Sequence, residues 1–434
     1  MQTLSISGMT CNTCATHVKD VLEKLPGVKS ARVSYPQGTA QVVADAGVSL
    51  DAMAAAVAKA GYSAKQATRS PEGSNGQPGD AAGPARRGDG SGLRIAVIGS
   101  GGAGGTITID ASGLSADGLI FNSLTSGQYT IAANAGDTLT LTGVVTLNNN
   151  AAISAPIVGS GNLIVSGTPG DTLTLSGNNT YSGGTTLEGG VILNFQNPTS
   201  TTSNFGAGAI TIGAGGATLQ YGAANLTVAN NLILADTGTI DVHGQTGTWS
   251  GTISGQGSLI LTDAVGGGVL SITASNSYGG YGSGTTILEH GVTVSLPGAG
   301  SYLGYNPITF GTGGGELQYG SAGAIYNPVV LTGNGAIDVR GNNISWFGVI
   351  SGGANLTLTD SVGGGSFTVD NDTTGLTGNL INNTALTFAQ SADSSVSGVI
   401  SGSERRQQRL RRYFRQRQPH RKRRRGNHVD VVRR

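Results

Sequence analysis

The chain has 434 residues, of which 74 are glycine, and its formal net charge of +1 hides an uneven distribution of charge. Residues 404–434 carry 14 of the 25 lysines and arginines and 2 of the 24 acidic residues, so residues 1–403 hold 11 basic and 22 acidic side chains. No segment is long and apolar enough to span a membrane, which excludes a transmembrane helix.

The first 68 residues alternate between strand and helix patterns. Alternating apolar residues predict short strands near residues 4–6, 28–35, 41–44 and 62–67. Helical spacing predicts a first helix with the apolar face Val18, Val21, Leu22 and Leu25, and a second helix over Leu50 to Ala60. The order βαββαβ predicts a ferredoxin-like α+β domain, in which two helices cover one antiparallel sheet.

The two cysteines of the chain, Cys11 and Cys14, lie three positions apart at the start of the first predicted helix. A helix N-terminus favours the thiolate, because it offers unpaired N–H groups and the positive end of the helix dipole. Two thiolates at this spacing can bind one soft cation from a loop and the first helical turn. A stray surface pair and a redox-active Cys-x-x-Cys are the alternatives. The preceding Gly8-Met9-Thr10 favours metal binding.

This element order, with Gly-Met-Thr-Cys-x-x-Cys in the first loop, resembles the heavy-metal-associated domain, and in detail the N-terminal domain of the bacterial mercuric reductases. The likeness covers residues 1–68 and is carried by His17-Val18-Lys19, Leu22-Glu23-Lys24, Pro26-Gly27-Val28, Val33-Ser34-Tyr35-Pro36 and Gly38-Thr39-Ala40-Gln41. It implies that Cys11 and Cys14 capture Hg(II) and pass it to a thiol-bearing acceptor protein. Two soft sulfur ligands suffice for Hg(II), and Cu(I) and Zn(II) are the alternative metals.

Three further residues lie near this motif in the predicted domain. Met9 is a candidate thioether ligand, but a core position that anchors the loop is the favoured interpretation. Tyr62 lies in a loop that is expected to approach the cysteines, where it either tunes the thiolates or simply packs. His17 follows Cys14 by one helical turn and is interpreted as a solvated residue rather than a ligand.

A linker and an interrupted cofactor motif follow this domain. Residues 69–92 are rich in Gly, Pro, Ser, Asp and Ala, which predicts a flexible linker. Residues 93–105 run from an apolar strand into Gly99-x-Gly101-x-x-Gly104, and they resemble the start of the flavin domain of mercuric reductase. That motif requires a helix next, whereas the residues from Thr106 alternate as a strand. We therefore interpret 93–105 as the truncated start of a dinucleotide-binding domain and expect no flavin.

The long middle of the chain is repetitive. Leu219-Gln220-Tyr221-Gly222 recurs at Leu317 with an offset of 98 residues, and Ile240-Asp241-Val242 recurs at Ile337 with an offset of 97 residues. Short strands with Gly and Asn at their corners bury an apolar face only by stacking. The pattern predicts an all-β repeat region over 106–403, a parallel β-helix with asparagine ladders.

The segment from Ser176 to Thr186, Ser-Gly-Asn-Asn-Thr-Tyr-Ser-Gly-Gly-Thr-Thr, resembles autotransporter-associated β-strand repeats. This likeness covers residues 106–402 and implies a structural surface passenger or adhesin, the alternative function for this chain. No local signature connects the Ser, His and Asp residues of the region into a catalytic group. His243 and His290 are interpreted as ordinary surface residues.

The basic tail, residues 404–434, is predicted to be disordered. A run such as Arg421-Lys422-Arg423-Arg424-Arg425 is typical of nucleic-acid or anionic-surface binding, which is the weaker interpretation here. One permitted codon choice read one base later restores the repeat style as Ser-Gly-Val-Asn-Asn-Gly-Ser-Gly-Gly. We therefore interpret the tail as an out-of-frame translation. Whether the whole chain is a natural fusion or a joining artefact stays open at this point.

The function predicted from the sequence is soft-metal binding, with Hg(II) first. Reductase activity is not expected, because mercuric reductase requires redox-active cysteine pairs in its flavin domain and near its C-terminus, and this chain has no cysteine after Cys14. The N-terminus has neither the charged nor the apolar region of a secretory signal. Reduced cysteines also need a reducing compartment, so the predicted location is the cytoplasm.

Overall fold

The computed structural model divides the chain into two compact units, Met1–Asp89 and Gly90–Arg434. It describes residues 2–7, 12–34, 39–44, 47–66, 94–99, 101–110, 113–197, 204–280, 284–298, 303–304, 306–391, 394–403 and 429–431.

The first unit has the predicted βαββαβ order. Its elements are β1 (Gln2–Ser7), α1 (Asn12–Glu23), β2 (Val28–Ser34), β3 (Thr39–Ala44), α2 (Leu50–Lys59) and β4 (Ser63–Gln66). The strands form one antiparallel sheet in the order β2-β3-β1-β4. The prediction of a ferredoxin-like domain is confirmed.

The helices of this unit form where the apolar stripes predicted them. Val18 and Leu22 of α1 are fully buried, and Met53 and Val57 of α2 join them in one core with the sheet. The hydroxyl of Ser49 caps α2 by accepting the Ala52 N–H at 3.2 Å. Both helices are therefore held on the sheet by one face, with their polar faces outward.

The second unit consists of strands throughout its described part. In chain order they begin with β5 (Ile95–Ile98), β6 (Thr106–Ile109), β7 (Leu114–Ala116), β8 (Gly118–Phe121), β9 (Tyr129–Ala133), β10 (Leu139–Leu141), β11 (Val144–Leu147), β12 (Ala151–Ile153), β13 (Ile157–Val158), β14 (Leu163–Gly167), β15 (Thr172–Leu175), β16 (Thr185–Leu187), β17 (Ile192–Phe195), β18 (Ile210–Ile212), β19 (Ala217–Tyr221) and β20 (Leu226–Val228). They continue with β21 (Leu232–Leu234), β22 (Gly238–Asp241), β23 (Thr246–Trp249), β24 (Ile253–Gly255), β25 (Leu259–Thr262), β26 (Val269–Ile272), β27 (Thr286–Glu289), β28 (Val292–Leu296), β29 (Ile308–Phe310), β30 (Gly315–Tyr319) and β31 (Gly323–Ile325). The last are β32 (Val329–Leu331), β33 (Gly335–Asp338), β34 (Asn343–Trp346), β35 (Ile350–Gly352), β36 (Leu356–Thr359), β37 (Ser366–Val369), β38 (Leu380–Asn382), β39 (Ala385–Phe388), β40 (Ser394–Val396), β41 (Ile400–Gly402) and β42 (Val429–Val431).

These strands wind into a three-sided parallel β-solenoid, so the predicted parallel β-helix is confirmed. The first turn passes through β5, β6 and β7, which belong to sheets of 8, 12 and 3 strands, and the next turn returns to the same sheets. Later turns use a 9-stranded sheet in place of the 3-stranded one. Strands stack in parallel about one turn apart, as Leu232 on Ile253. Alternate side chains point inward and form one continuous apolar core.

The repeated Tyr and Thr signature fills two corners of this core. The Tyr181 hydroxyl lies 2.6 Å from the Thr185 hydroxyl, and Tyr278 makes the same contact with Thr286 at 2.6 Å. Each threonine in turn donates to a main-chain carbonyl of the next turn, at Phe205 and Leu303. Because every polar atom of the signature is paired, a large tyrosine ring can be buried at the corner.

Asparagines form the predicted corner ladder. The Asn334 side chain accepts the Asn355 N–H at 3.1 Å, Asn355 accepts the Asn379 N–H at 3.1 Å, and Asn379 accepts the Val399 N–H at 2.9 Å. Each amide therefore satisfies a main-chain donor of the following turn, which aligns successive turns at this corner.

The 97-residue repeat does not match a whole number of solenoid turns. Asp241 lies on β22 in the 12-stranded sheet, whereas its repeat equivalent Asp338 lies on β33 in the 9-stranded sheet. Equivalent residues of the repeat therefore face different sides of the solenoid.

Two segments differ from their predictions. Residues 94–99 are part of the solenoid, since β5 pairs in parallel with β8 and Ile98 joins the core, so the solenoid begins before the predicted boundary at 106. Because β5 is followed by the strand β6 rather than by a helix, this segment forms part of a solenoid turn. In the tail that was predicted to be disordered, Val429–Val431 pairs antiparallel with Ser394–Val396, and 404–428 lie outside the described residues.

Candidate metal centre

The first turn of α1 carries the described half of the predicted metal site. Cys14 is the third residue of α1 and is partly buried. Val18, one turn later, is fully buried against the sheet, so the helix presents Cys14 near the edge of the core. Cys11 and Met9 lie outside the described residues.

The N-terminus of α1 carries no acidic residue in its first turn. The positive end of the helix dipole is therefore not offset by a carboxylate of the helix itself. This environment favours an anionic group, such as a thiolate, over a neutral one.

The other end of α1 is fixed to the sheet. Glu23 accepts the Ala31 N–H of β2 at 3.0 Å and pairs with Lys19 at 3.2 Å. The Ala31 N–H lowers the pKa of the Glu23 carboxyl, and the ammonium group of Lys19 lowers it further. Glu23 is therefore ionised and links α1 to β2.

Tyr62 lies beside the first half of α1. Gly61, with φ of +88°, ends the α2 segment, and the Tyr62 N–H donates to the Val57 carbonyl at 3.2 Å. The Tyr62 ring packs on the core and meets the exposed His17 ring edge-on, at 6.0 Å between centroids. Tyr62 therefore packs on the core and against His17, which follows Cys14 by three positions on α1.

Two glycines of the interrupted dinucleotide motif lie against the next turn of the solenoid. A Cβ atom at Gly99 would overlap the Tyr129 ring, and one at Gly104 would overlap the Gln128 main chain. The glycines therefore allow the next turn of the solenoid to approach, and the following segment is the strand β6 rather than a helix. The motif therefore lacks the helix N-terminus that holds a pyrophosphate in a dinucleotide-binding domain.

His243 and His290 lie at solenoid corners with left-handed backbone, at φ of +50° and +53°. His243 Nδ1 lies 3.2 Å from the Asp241 carboxylate, and His290 Nδ1 lies 2.9 Å from the Thr262 hydroxyl. Within the described part of the chain, no three His, Cys, Asp or Glu residues cluster closely enough to hold a metal ion.

Sequence reasoning missed a buried polar ladder beside His243. The Asn194 amide donates to the Gln220 side chain at 2.7 Å, and the Gln220 amide donates to Asp241 at 2.9 Å. The repeated Leu-Gln-Tyr and Ile-Asp-Val motifs could have predicted this ladder. Each motif carries one polar residue, and these residues, Gln220 and Asp241, stack on adjacent turns. These bonds link side chains of successive solenoid turns, which makes the ladder a structural element.

No helix of the described residues has the length and apolar character needed to cross a membrane.

Comparison with known proteins identifies the domain that forms the first unit. The family model of the heavy-metal-associated domain matches residues 3–63. Mercuric reductase of Shigella flexneri is 51% identical over 108 residues, which cover 24% of this chain and 19% of the relative. Mercuric reductase of Serratia marcescens is 49% identical over 109 residues, which cover 24% of each protein.

A solved structure described as the Hg(II) complex of the N-terminal domain of Tn501 mercuric reductase is 59% identical, covers 15% of this chain and 96% of its own, and has a TM-score of 0.15. The chain spans a quarter or less of the length of the two mercuric reductases, and the remainder of its described part is the β-solenoid. Residues 3–63 are therefore a heavy-metal-associated domain that matches the N-terminal domain of mercuric reductase.

Proposed function

We propose that this chain binds Hg(II) through Cys11 and Cys14 and transfers it to a thiol-bearing acceptor protein. The observation that carries the proposal is the heavy-metal-associated domain, whose Gly-Met-Thr-Cys-x-x-Cys segment leads into α1. We rank Hg(II) before Cu(I) and Zn(II) because the similar proteins are mercuric reductases.

The chemistry needs few groups. Two thiols lose their protons as two S–Hg bonds form, and the two sulfur ligands satisfy a soft ion without a carboxylate or an imidazole. The N-terminus of α1, which carries no acidic residue in its first turn, supports the thiolate form of Cys14. An acceptor thiolate can then form a new S–Hg bond while one of the two original bonds breaks, so the metal moves without a change of oxidation state.

We propose binding without reduction. The similarity to mercuric reductase covers about a quarter of this chain, and no cysteine follows Cys14 in the sequence. The second pair of thiols that would pass Hg(II) to a reducing centre is therefore expected on another protein.

Titration of the purified full chain with Hg(II) tests this proposal, with the sulfur-to-mercury absorption band and calorimetry as readouts. We expect about one Hg(II) per chain. Loss of either thiol, as Cys11→Ala or Cys14→Ala, should weaken binding by more than the roughly 10–100-fold typical of losing a group that only orients a metal ligand.

His17→Ala is the matched control, because His17 is exposed on the same helix face one turn from Cys14. It should leave the Hg(II) affinity unchanged. Parallel titrations with Cu(I) and Zn(II) rank the metals. Equal Hg(II) binding by the wild-type chain and both cysteine variants would contradict the proposal.

We propose a structural surface role as the second candidate function, supported by the long parallel solenoid with its 12-stranded sheet. A passenger of this kind acts as a rigid scaffold and needs no catalytic group. Protease treatment of intact source cells tests it: digestion of the solenoid would support surface display, and complete protection in intact but not lysed cells would contradict it.

A further inference from the structure

Two aromatic side chains are exposed at one corner of the solenoid. Tyr326 follows β31 and is 71% exposed, and Phe347 follows β34 on the next turn and is 37% exposed. Their rings stack with 5.2 Å between centroids and 16° between planes. The 97-residue repeat places Ala229 and Ser250 at the equivalent positions of its first copy. Because the first copy turns its corner without aromatic rings, the fold itself does not require this exposed pair.

Carboxylates continue the same corner on the following turn. Asp370 comes next to Phe347 in the stack, since its N–H donates to the Trp346 carbonyl at 2.9 Å. Asp372 is exposed, and the hydroxyl that Thr374 donates to its carboxylate lowers the pKa of Asp372. Neither carboxylate forms an ion pair with another residue that the structure describes. We call this surface the aromatic-acidic corner: Tyr326, Phe347, Asp370 and Asp372.

The charges of the chain are divided between the solenoid and one later segment. Residues 94–403 contain 15 acidic and 2 basic side chains, whereas residues 404–428 contain 1 acidic and 12 basic side chains, 11 of them arginine. An arginine side chain can pair with a carboxylate and can also stack on an aromatic ring through its planar guanidinium group. The composition of 404–428 therefore complements both the carboxylates and the rings of the aromatic-acidic corner.

The end of this basic segment is attached at the same corner. Residues 404–428 lie outside the described residues, and the strand that follows them, β42, pairs with β40. Ser394 of β40 donates to the Asp372 carboxylate at 3.0 Å, so β40 lies one turn beyond Asp372. Tyr326 is three turns from β40, which is about 14 Å at about 4.8 Å per turn. A segment of 25 residues is long enough to reach every residue of the corner.

We propose that the basic segment 404–428 binds to the aromatic-acidic corner of its own solenoid, where its guanidinium groups pair with the two carboxylates and stack on the two rings. Because the segment is joined to the solenoid at both ends, this binding is intramolecular and has a high effective concentration. It also occupies arginine side chains that a nucleic acid or another anionic polymer would otherwise contact.

Photo-crosslinking of the full chain at low concentration tests this proposal. The photoreactive amino acid p-benzoylphenylalanine replaces Tyr326 in one variant and, as a matched control, Ala229, which is its exposed equivalent in the first copy of the repeat. We expect crosslinks from position 326 to residues 404–428, several-fold more than from position 229. They should be lost in about 1 M salt, which screens exposed charges beyond about 3 Å. Mixing isotope-labelled and unlabelled chains separates intramolecular from intermolecular crosslinks.

A second test gives the corner the residues of the first repeat copy, which are compatible with the fold. In Tyr326→Ala/Phe347→Ser, trypsin should cut residues 404–428 several-fold faster than in the wild-type chain, with unchanged β-sheet circular dichroism. Val362→Ser is the control, because Val362 is 69% exposed in a loop between β36 and β37, outside the corner, and should leave the rate unchanged. Equal crosslinking from positions 326 and 229, crosslinks only between different chains, or equal trypsin rates in the wild-type chain and the corner variant would overturn the proposal.

Discussion

Two carboxylates, the buried Asp263 and the half-buried Asp360, hold the solenoid loops that carry Val265 and Val362. Asp263 is 1% exposed and accepts main-chain N–H groups from Gly244, Gly266 and Gly268 at 2.6, 3.0 and 2.5 Å. Asp360 repeats the arrangement with Gly341, Gly363 and Gly365, each at 2.8 Å. Burial raises the pKa of the Asp263 carboxyl, but the N–H groups, led by that of Gly268, together hold the pKa below its usual value.

This arrangement predicts a pH-dependent contribution to stability. The folded pKa of Asp263 lies below the unfolded value of about 4, so the stabilisation is complete above about pH 4 and is lost as pH falls through the folded pKa. Asp263→Asn should lower the free energy of unfolding by about 1–3 kcal/mol at pH 7 and by less near pH 2. Urea unfolding at both pH values measures the difference.

Asp110→Asn is the control, because Asp110 is exposed after β6 and should give no change at either pH. Asp360→Asn should reproduce the effect of Asp263→Asn, since its carboxylate accepts the equivalent three N–H groups. An equal loss for Asp263→Asn at pH 7 and pH 2 would contradict the role of the ionised carboxylate.

The buried tyrosine corners give a second prediction for single residues. Thr286 donates to the Leu303 carbonyl at 3.0 Å, so the Tyr278 hydroxyl is the donor in its 2.6 Å bond to Thr286. Burial raises the pKa of Tyr278, which keeps the hydroxyl protonated. Tyr278→Phe should therefore lower the free energy of unfolding by about 1 kcal/mol, measured by denaturant unfolding.

Tyr326→Phe is its matched control, because Tyr326 is 71% exposed and stacks on Phe347 at 5.2 Å between centroids through its ring alone. We expect no measurable change. If Tyr278→Phe and Tyr326→Phe lost the same stability, the buried hydroxyl would have no special role.

At the scale of elements, the sequence predicts the helices and strands of the first unit closely. For the solenoid it predicts only the general architecture. The helix stripe around Val18 and Leu22 and the cap at Ser49 are local signals, and the observed bounds of α2, Leu50–Lys59, agree with the prediction to one residue. In the solenoid, stacking was readable from the repeats. The side on which a strand lies was not, because an offset of 97 residues moves Asp241 and Asp338 to different sheets.

The segment Ile95–Ile98 shows that one local pattern can fit two folds. An apolar strand before Gly99 and Gly101 fits the start of a dinucleotide-binding domain and also a solenoid turn. The structure that forms depends on long-range pairing with Gly118–Phe121, which no local pattern encodes. The same reasoning applies to the candidate site: the position of Cys14 on α1 was predictable from local spacing, whereas the contact between Tyr62 and His17 depends on how α1 and the end of α2 pack.

Close stacking of turns predicts which small residues are essential. A Cβ atom at Gly348 would overlap the carbonyl oxygen of Asn327 on the preceding turn, whereas one at Gly353 would lie 3.6 Å from Thr377. Gly348→Ala should therefore force adjacent turns apart and lower the thermal midpoint of the solenoid, at a cost of about 1–3 kcal/mol. Gly353→Ala should be neutral, and equal effects of the two variants in thermal melts would contradict this account.

At the scale of the whole molecule, two units with separate cores are joined by residues 67–93. The first unit buries its own core around Leu4, Val42 and Met53, and the solenoid core begins with Ile98. A domain of about 60–70 residues is near the lower limit of size for independent folding, but many domains of this size fold alone. The metal-binding unit is therefore expected to work without the solenoid.

This expectation can be measured on fragments. A fragment of residues 1–89, the first compact unit, should unfold cooperatively and bind Hg(II) within about threefold of the full chain, because no residue of the proposed site lies beyond it. The complementary fragment 90–434 contains no cysteine, so it should keep its β-sheet circular dichroism and show no sulfur-to-mercury band. Cys14→Ser in the short fragment is the control for specific binding and should abolish the band. A short fragment that folds but binds Hg(II) much more weakly than the full chain would show that the solenoid contributes to the site, and the division into independent units would then be wrong.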